Sequence, residues 1–197
     1  PNRKMTSRMD KYLVLDVSYI CHRIQHIAGN LSFEGNRTGV IFGFLRDVLL
    51  LRETHDTDNF VFCFDSRKSK RREDQPHYKI HRQVAYDGMG KEDKEEAQVF
   101  RDQVSLLRTS VLPDLGYGAN IFGQIGYEAD DVIASVCENL DSEFIVVSAD
   151  KDLYQLLDGS RVTMWKQAKK VLYTESAFRQ DYCNLPPVRW SEVKAMA

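Results

Sequence analysis

Residues 143–152 read Glu-Phe-Ile-Val-Val-Ser-Ala-Asp-Lys-Asp, and this stretch decides the fold. Glu143 to Val147 is of strand length and continuously apolar after its first residue, followed at once by two small residues and then Asp150 and Asp152. A strand that is apolar throughout, rather than at alternate positions, is buried on both faces, as in a parallel sheet covered by helices. Outward from it the pattern repeats. Tyr12 to Val17 and Asn59 to Phe64 read as buried strands, Ala119 to Phe122 as a short one, and Arg161 to Trp165 with Val171 to Tyr173 as a strand pair. Helical stretches lie between them. They are Ser18 to Ile27, a helix N-capped by Thr38 and running to about Thr54, and an amphipathic helix from Lys94 to about Leu115. Tyr127 to Leu140, Lys151 to Leu157 and Glu175 to Tyr182 follow, and Val188 to Ala197 comes after the Pro186-Pro187 break. Gly29 to Arg37 is polar and turn-rich, hence a loop. The alternation defines an α/β fold with right-handed crossovers.

The chain has 197 residues, 43% hydrophobic and 28% charged, which suits one globular domain. A net charge of −2 excludes a uniformly basic coat but leaves room for a local patch. No apolar run approaches membrane-spanning length, so no membrane partner is expected. The first residues, Pro1-Asn2-Arg3-Lys4, are not a secretory signal. Residues 1–9 read as a tail or cloning remnant, with Met9 a candidate natural start, and residues 10–197 as the folded core. Cys21, Cys63, Cys137 and Cys183 are scattered among apolar residues without a C-x-x-C pair. They are expected to be reduced, buried thiols of a reducing compartment rather than zinc ligands.

The acidic residues gather where sites form in such sheets, at the carboxyl ends of strands. Asp16 ends the first strand and Asp65 follows the second. Glu128, Asp130 and Asp131 open a helix after the third, and Asp150 and Asp152 follow the fourth. For any single segment, a helix cap or turn is explanation enough. Seven carboxylates from four segments at one sheet edge would repel one another without counter-charge. An all-oxygen donor set without His or Cys points to Mg²⁺ or Mn²⁺. Two such ions about 3.5–4 Å apart suit phosphoryl transfer.

Ser66 to Asp93 is too long for a plain connection in a compact domain. It begins with Arg67, Lys68, Lys70, Arg71 and Arg72, then carries Tyr78, Lys79, His81 and Arg82. Alone it reads as a solvated charged loop. Beside an acidic metal centre it matches a phosphodiester substrate, whose backbone cations hold and whose unpaired bases stack on aromatics. Lys91 to Glu96, mixed in sign, reads as a helix start. Gly39 and Gly43 lie four apart in a helix, which suggests close packing. The alternative is phosphate binding at the helix N-terminus by Thr38 and Gly39. His22, His26 and His55 show no ligand partners in the sequence.

Two strings carry a family resemblance. Tyr127-Glu-Ala-Asp-Asp-Val-Ile-Ala134 and Ser148-Ala-Asp-Lys-Asp-Leu-Tyr-Gln-Leu-Leu157 resemble the signature motifs of the 5′-nuclease family. That family includes bacteriophage flap endonucleases and the 5′→3′ exonuclease domain of bacterial DNA polymerase I. Asp16 with Arg23 resembles its first motif. Thr38-Gly39 with Gly43-Phe44 resembles the helix that meets substrate phosphate. Phe64-Asp65, Arg71 and Tyr78-Lys79-x-x-Arg82 resemble its strand-and-arch motif. The likeness runs from about residue 11 to the last residue.

The resemblance implies a PIN-like three-layer core, a mainly parallel central sheet, and a helical arch over the active site from about Arg71 to Arg101. Asp16, Asp65, Glu128, Asp130 and Asp131 would hold a first Mg²⁺ or Mn²⁺ ion, partly through waters, and Asp150 and Asp152 a second. Lys79 and Arg82 would grip the scissile phosphate, with Arg23, Thr38, Gly39, Arg71, Arg72 and Tyr78 also on DNA. In-line attack by metal-bound hydroxide would leave a 5′-phosphate. The substrate would be DNA with a free 5′ end or flap, and no small-molecule cofactor is needed. A monomer in the cytoplasm of a bacterial or phage-infected cell is expected. Val17 stands where the family usually has Gly. The family's next element, G-D-x-S-D-N opening a helix-hairpin-helix module with further second-ion ligands, does not follow Ala197. That leaves open an alternative, a core that binds metal and branched DNA but cleaves feebly. A PIN-type ribonuclease fits less well, because the long basic segment has no place in it.

Overall fold

The computed structural model describes residues 9–66, 70–71, 75, 77 and 79–196, with the side chains of 81–83 set aside. The expectations on Arg72 and Tyr78, on the Arg82 side chain and on the tail before residue 9 lie outside the described residues.

A six-stranded sheet forms the middle layer. Its strands are β1 (Lys11–Asp16), β4 (Phe60–Cys63), β5 (Ile121–Phe122), β6 (Glu143–Val147), β7 (Val162–Lys166) and β8 (Val171–Tyr173). The spatial order is β5-β4-β1-β6-β7-β8. All neighbours run parallel except β7 and β8, which pair antiparallel through a short connection. The expected fold class is therefore the observed one. β1 sits between β4 and β6, with Leu15 opposite both Phe62 and Val147. The chain leaves β1 toward one side and later returns to the other, which opens a crevice at the strands' carboxyl ends.

Both faces of the sheet are covered, which is why its strands are apolar throughout. Leu13 and Leu15 point to one face, against α1 (Val17–Ala28), α2 (Gly39–His55) and α4 (Lys91–Leu106). Val14 points to the other, against α5 (Ala129–Asn139), α6 (Glu175–Asp181) and the terminal α7 (Trp190–Ala195). Val17, in the family's usual glycine position, is fully buried in the first of these layers. Helix α3 (Ile80–Asp87) lies before α4 within the long basic segment.

Several boundaries differ from expectation for physical reasons. α4 begins at Lys91, not Lys94, because Glu92 and Asp93 favour its first turn through the helix dipole. Beyond Leu106 its winding loosens, with Pro113 lacking a donor N–H, and the chain turns at Gly116 with φ +91. α5 begins at Ala129 rather than Tyr127, because Glu128 and Asp131 form a reciprocal cap there. The expected loop at 29–37 contains a small hairpin, β2 (Ser32–Phe33) with β3 (Asn36–Arg37). Glu34 and Gly35, both at positive φ, supply the turn such a hairpin needs. Cys183 is exposed, which corrects the expectation of four buried thiols; the other three are buried and free.

Thr38 precedes α2 as expected, but its side chain makes no cap. Buried Gln103, on α4, accepts the Val40 N–H at 3.0 Å instead. The Gly39 N–H is bonded to the Leu31 carbonyl. A Cβ on Gly39 would overlap the Ala28 carbonyl, and one on Gly43 would lie 2.5 Å from Ile24 Cγ2. The two glycines thus serve the close packing of α1 against α2.

Candidate active site

The crevice predicted by topology is a cleft of about 980 Å³. Its acidic lining comes from every segment named by the sequence: Asp16 from β1, Asp65 after β4, Glu128 and Asp130 at the start of α5, and Asp150 after β6. Asp16, Asp65 and Asp150 each accept a backbone hydrogen bond. Asp16 closes β1 and caps α1, accepting the Tyr19 N–H at 2.9 Å. Its other oxygen accepts the Ser148 hydroxyl at 2.9 Å. Asp65 accepts the Ala129 N–H at 2.7 Å, fastening the end of β4 to the start of α5. Asp150 accepts the Asp152 N–H and caps the short turn Lys151–Leu156.

Burial and mutual repulsion set the electrostatics. Asp16 is 7% exposed, and burial pushes its carboxyl up to about 6 against the pull of its two hydrogen bonds. Burial, then the charges of Asp150, Asp16, Asp65 and Glu128, raise Asp130 to about 7. Among the described residues lining the cleft, carboxylates thus outnumber lysines. Among the described residues no three acidic, His or Cys side chains close into an ion cage by themselves. The carboxylate oxygens are nonetheless crowded, and they fit hard divalent cations with water completing the shell.

Two predicted ligands lie outside this lining. Asp131 turns to the other side of α5, where it accepts the Glu128 N–H at 3.0 Å and pairs with Arg71 at 2.5 Å. It lines a neighbouring groove with Phe122 and Tyr127. Asp152 contacts the Lys194 ammonium.

Cations of the long segment lie against the acidic ring. Lys79 lines the cleft, and its ammonium lies 2.8 and 2.9 Å from the two Glu128 oxygens. Its backbone takes a left-handed φ of +52, uncommon for a residue with a Cβ. Arg71 reaches Glu128 at 3.4 Å. Arg23 is placed otherwise: it pairs with Asp47, which is 3% exposed and also receives Gln167 at 3.0 Å.

Sequence reasoning missed part of the wall. Tyr19, His22 and His26, spaced three and four apart on α1, line the cleft, and His22 stacks on Phe100 of α4 at 4.5 Å. The i, i+3, i+7 spacing was the available signal. Lys151 and Lys194 line it as well. Nothing local to Lys194 announces this, because the contact depends on where α7 docks.

A mainly parallel sheet covered on both faces, with aspartates from separate strands at its carboxyl edge, defines a PIN-like three-layer fold. The chain belongs to the 5′-3′ exonuclease family: the family profile described as "5'-3' exonuclease, N-terminal resolvase-like domain" matches residues 11–183. A 5′-3′ exonuclease of Streptomyces coelicolor is 32% identical over 156 residues, covering 76% of this chain and 51% of its own. One of Mycoplasmopsis pulmonis is 26% identical over 197 residues, covering 98% and 61%. The chain thus spans between half and two thirds of the length of these relatives. Among solved structures, bacteriophage T5 5′-exonuclease with bound zinc superposes with a TM-score of 0.72 at 18% identity, over 88% of this chain and 61% of that one. The T5 flap endonuclease in a pseudo-enzyme-product complex with DNA and metal ions gives 0.69 at 18% identity over the same shares. At that identity the likeness establishes the fold. Among the described residues no helix is long and apolar enough to cross a membrane.

Proposed function

We propose that this chain is the core of a divalent-metal-dependent 5′ nuclease that hydrolyses phosphodiester bonds in DNA bearing a free 5′ end or flap. The observation that carries the reading is the convergence of Asp16, Asp65, Glu128, Asp130 and Asp150 on one cleft that Lys79 also lines. Family membership supports the reaction class, and the T5 complex with DNA and metal ions supports the substrate class.

Asp16, Asp65 and Asp130, with Glu128 at the edge, would hold one Mg²⁺ or Mn²⁺ ion, and Asp150 with Asp152 a second. When bound, such ions supply activation of water and stabilisation of the leaving oxygen. Ser148 orients Asp16, and the Ala129 N–H orients Asp65. Asp131 acts by seating Arg71 beside Glu128. Lys79 and Arg82 would take the scissile phosphate, with Lys79 exchanging Glu128 for it. Arg71, Arg72 and Tyr78 would hold the adjoining strand. On this reading the protein works as a monomer in the cytoplasm of a bacterial or phage-infected cell.

The test is cleavage of a 5′-labelled single-flap DNA with Mg²⁺ or Mn²⁺ against EDTA, beside an Asp150→Asn control. Metal-dependent cutting near the junction, lost in the variant, is expected. Equal cutting by Asp150→Asn would refute the site. Flap binding without cutting would favour the feeble core as the better reading.

A further inference from the structure

The acidic ring is served by cations from two directions. On the Glu128 and Asp131 side they come from the long basic segment, as Lys79 and Arg71. On the far side, the Lys194 ammonium contacts Asp152, and its side chain lines the cleft alongside Asp130 and Asp150. We propose that Lys194 is a built-in counter-ion for the Asp150–Asp152 side of the cleft, which a divalent cation must displace, so that this lysine sets how tightly the second ion is held. The inference rests on the metal-dependent reading above.

Lys194 is held in place by the packing of its helix. Four residues earlier, Trp190 is buried, and positions i and i+4 share one helix face. Its ring packs on Tyr182 at 4.7 Å, Phe178 at 5.6 Å and Tyr154 at 5.9 Å. Tyr154 belongs to the turn Lys151–Leu156 that carries Asp152 itself. One aromatic anchor therefore fixes both the helix bearing the lysine and the turn bearing its carboxylate.

An ammonium and a divalent cation cannot share the same carboxylate oxygens at contact distance, because their mutual repulsion is strongest where each is most attracted. The pair is also weak enough to yield, since its two side chains are 46% and 48% exposed. Filling this side of the cleft thus requires breaking one surface ion pair. Asp16, at the end of β1, is buried more deeply and lacks such a partner among the contacts described. The two ions should accordingly bind with unequal affinity, and only the weaker should respond to Lys194.

The experiment is a Mn²⁺ titration without DNA, following free Mn²⁺ by electron paramagnetic resonance. It compares wild type with Lys194→Met, Lys194→Arg and Lys151→Met. Lys151 lines the same cleft and controls for general loss of charge. Two sites of unequal affinity are expected in wild type. Lys194→Met should tighten the weaker one by roughly three- to tenfold. Lys194→Arg should leave both near wild type, and Lys151→Met should have a smaller effect. Two-site uptake indifferent to Lys194→Met overturns this inference alone, as does equal tightening by Lys151→Met. No Mn²⁺ uptake by wild type or Lys194→Met overturns the metal reading itself, and this inference with it. Lys194 is half exposed on a surface helix, so the variants should fold, and circular dichroism verifies this.

Discussion

The Ser148 hydroxyl donates a 2.9 Å hydrogen bond to the Asp16 carboxylate, joining residues 132 positions apart. The same oxygen accepts the Asp150 N–H at 3.1 Å. Ser148 is 1% exposed, so one small buried side chain ties the ends of β1 and β6 together and aims two of the cleft's carboxylates. Ser148→Ala leaves Asp16 short of a donor in a site that already disfavours its charge. It should cost about 1–2 kcal/mol in urea unfolding and lower flap cleavage. A variant with unchanged stability and turnover would show that the bond positions nothing.

The raised carboxyls make metal-free stability depend on pH in an unusual direction. Asp16, near 6, and Asp130, near 7, both lie above the ordinary carboxylate value of 3.8. In that window the folded protein binds more protons than the unfolded chain, so their contribution falls as pH rises from about 4 through about 7. Asp130→Asn removes one such group. In EDTA it should raise the melting temperature relative to wild type at pH 8, and the gain should shrink toward pH 5. Millimolar Mg²⁺ should stabilise wild type at pH 8 and narrow or reverse the difference. A gain that is the same at pH 5 and pH 8 would count against a repulsive cluster.

Asp47 holds α1, α2 and the β7–β8 connection together through Arg23, Arg46 and Gln167. Removing one partner of a buried ion pair strands the other's charge, at a cost of about 3 kcal/mol for a partner still partly exposed. Asp47→Ala should lose about that much in urea unfolding. An unchanged midpoint would mean that the pair carries no stability.

Gly43→Ala ordinarily gains about 1 kcal/mol in a helix interior. Here the new methyl meets Ile24 Cγ2 at 2.5 Å, and such overpacking costs about 1–3 kcal/mol. The substitution should therefore be neutral to destabilising, by up to about 2 kcal/mol. In the double variant with Ile24→Ala the clash is gone, so the two changes should combine non-additively. Simple additivity would show that α1 and α2 separate readily at this contact.

The strands, the layer order and the four acidic segments were legible because each is local. A strand buried on both faces must be apolar along its length, and carboxylates after such strands lie at one edge. The glycine pair at 39 and 43 allowed two readings. Which one held depended on Ile24 and Ala28, residues whose proximity only the packed helices define. The hairpin at Ser32–Arg37 escaped because two-residue strands carry no periodicity.

By itself the sequence determined a covered parallel sheet, the segments that would meet at its carboxyl edge, and the family. The first two follow from the chemistry of neighbouring residues along the chain, and the family from the resemblance of the 127–134 and 148–157 motifs. Tertiary structure alone decided how those charges are shared. It turned Asp131 away from the cleft to Arg71 while Asp130 faces in, since adjacent helix positions point about 100° apart. It committed Arg23 to Asp47, buried Gln103 against the start of α2, and brought Lys194 to Asp152. Those pairings join residues far apart in sequence, and a charge's partner is set by distance and burial, which exist only once the layers have packed.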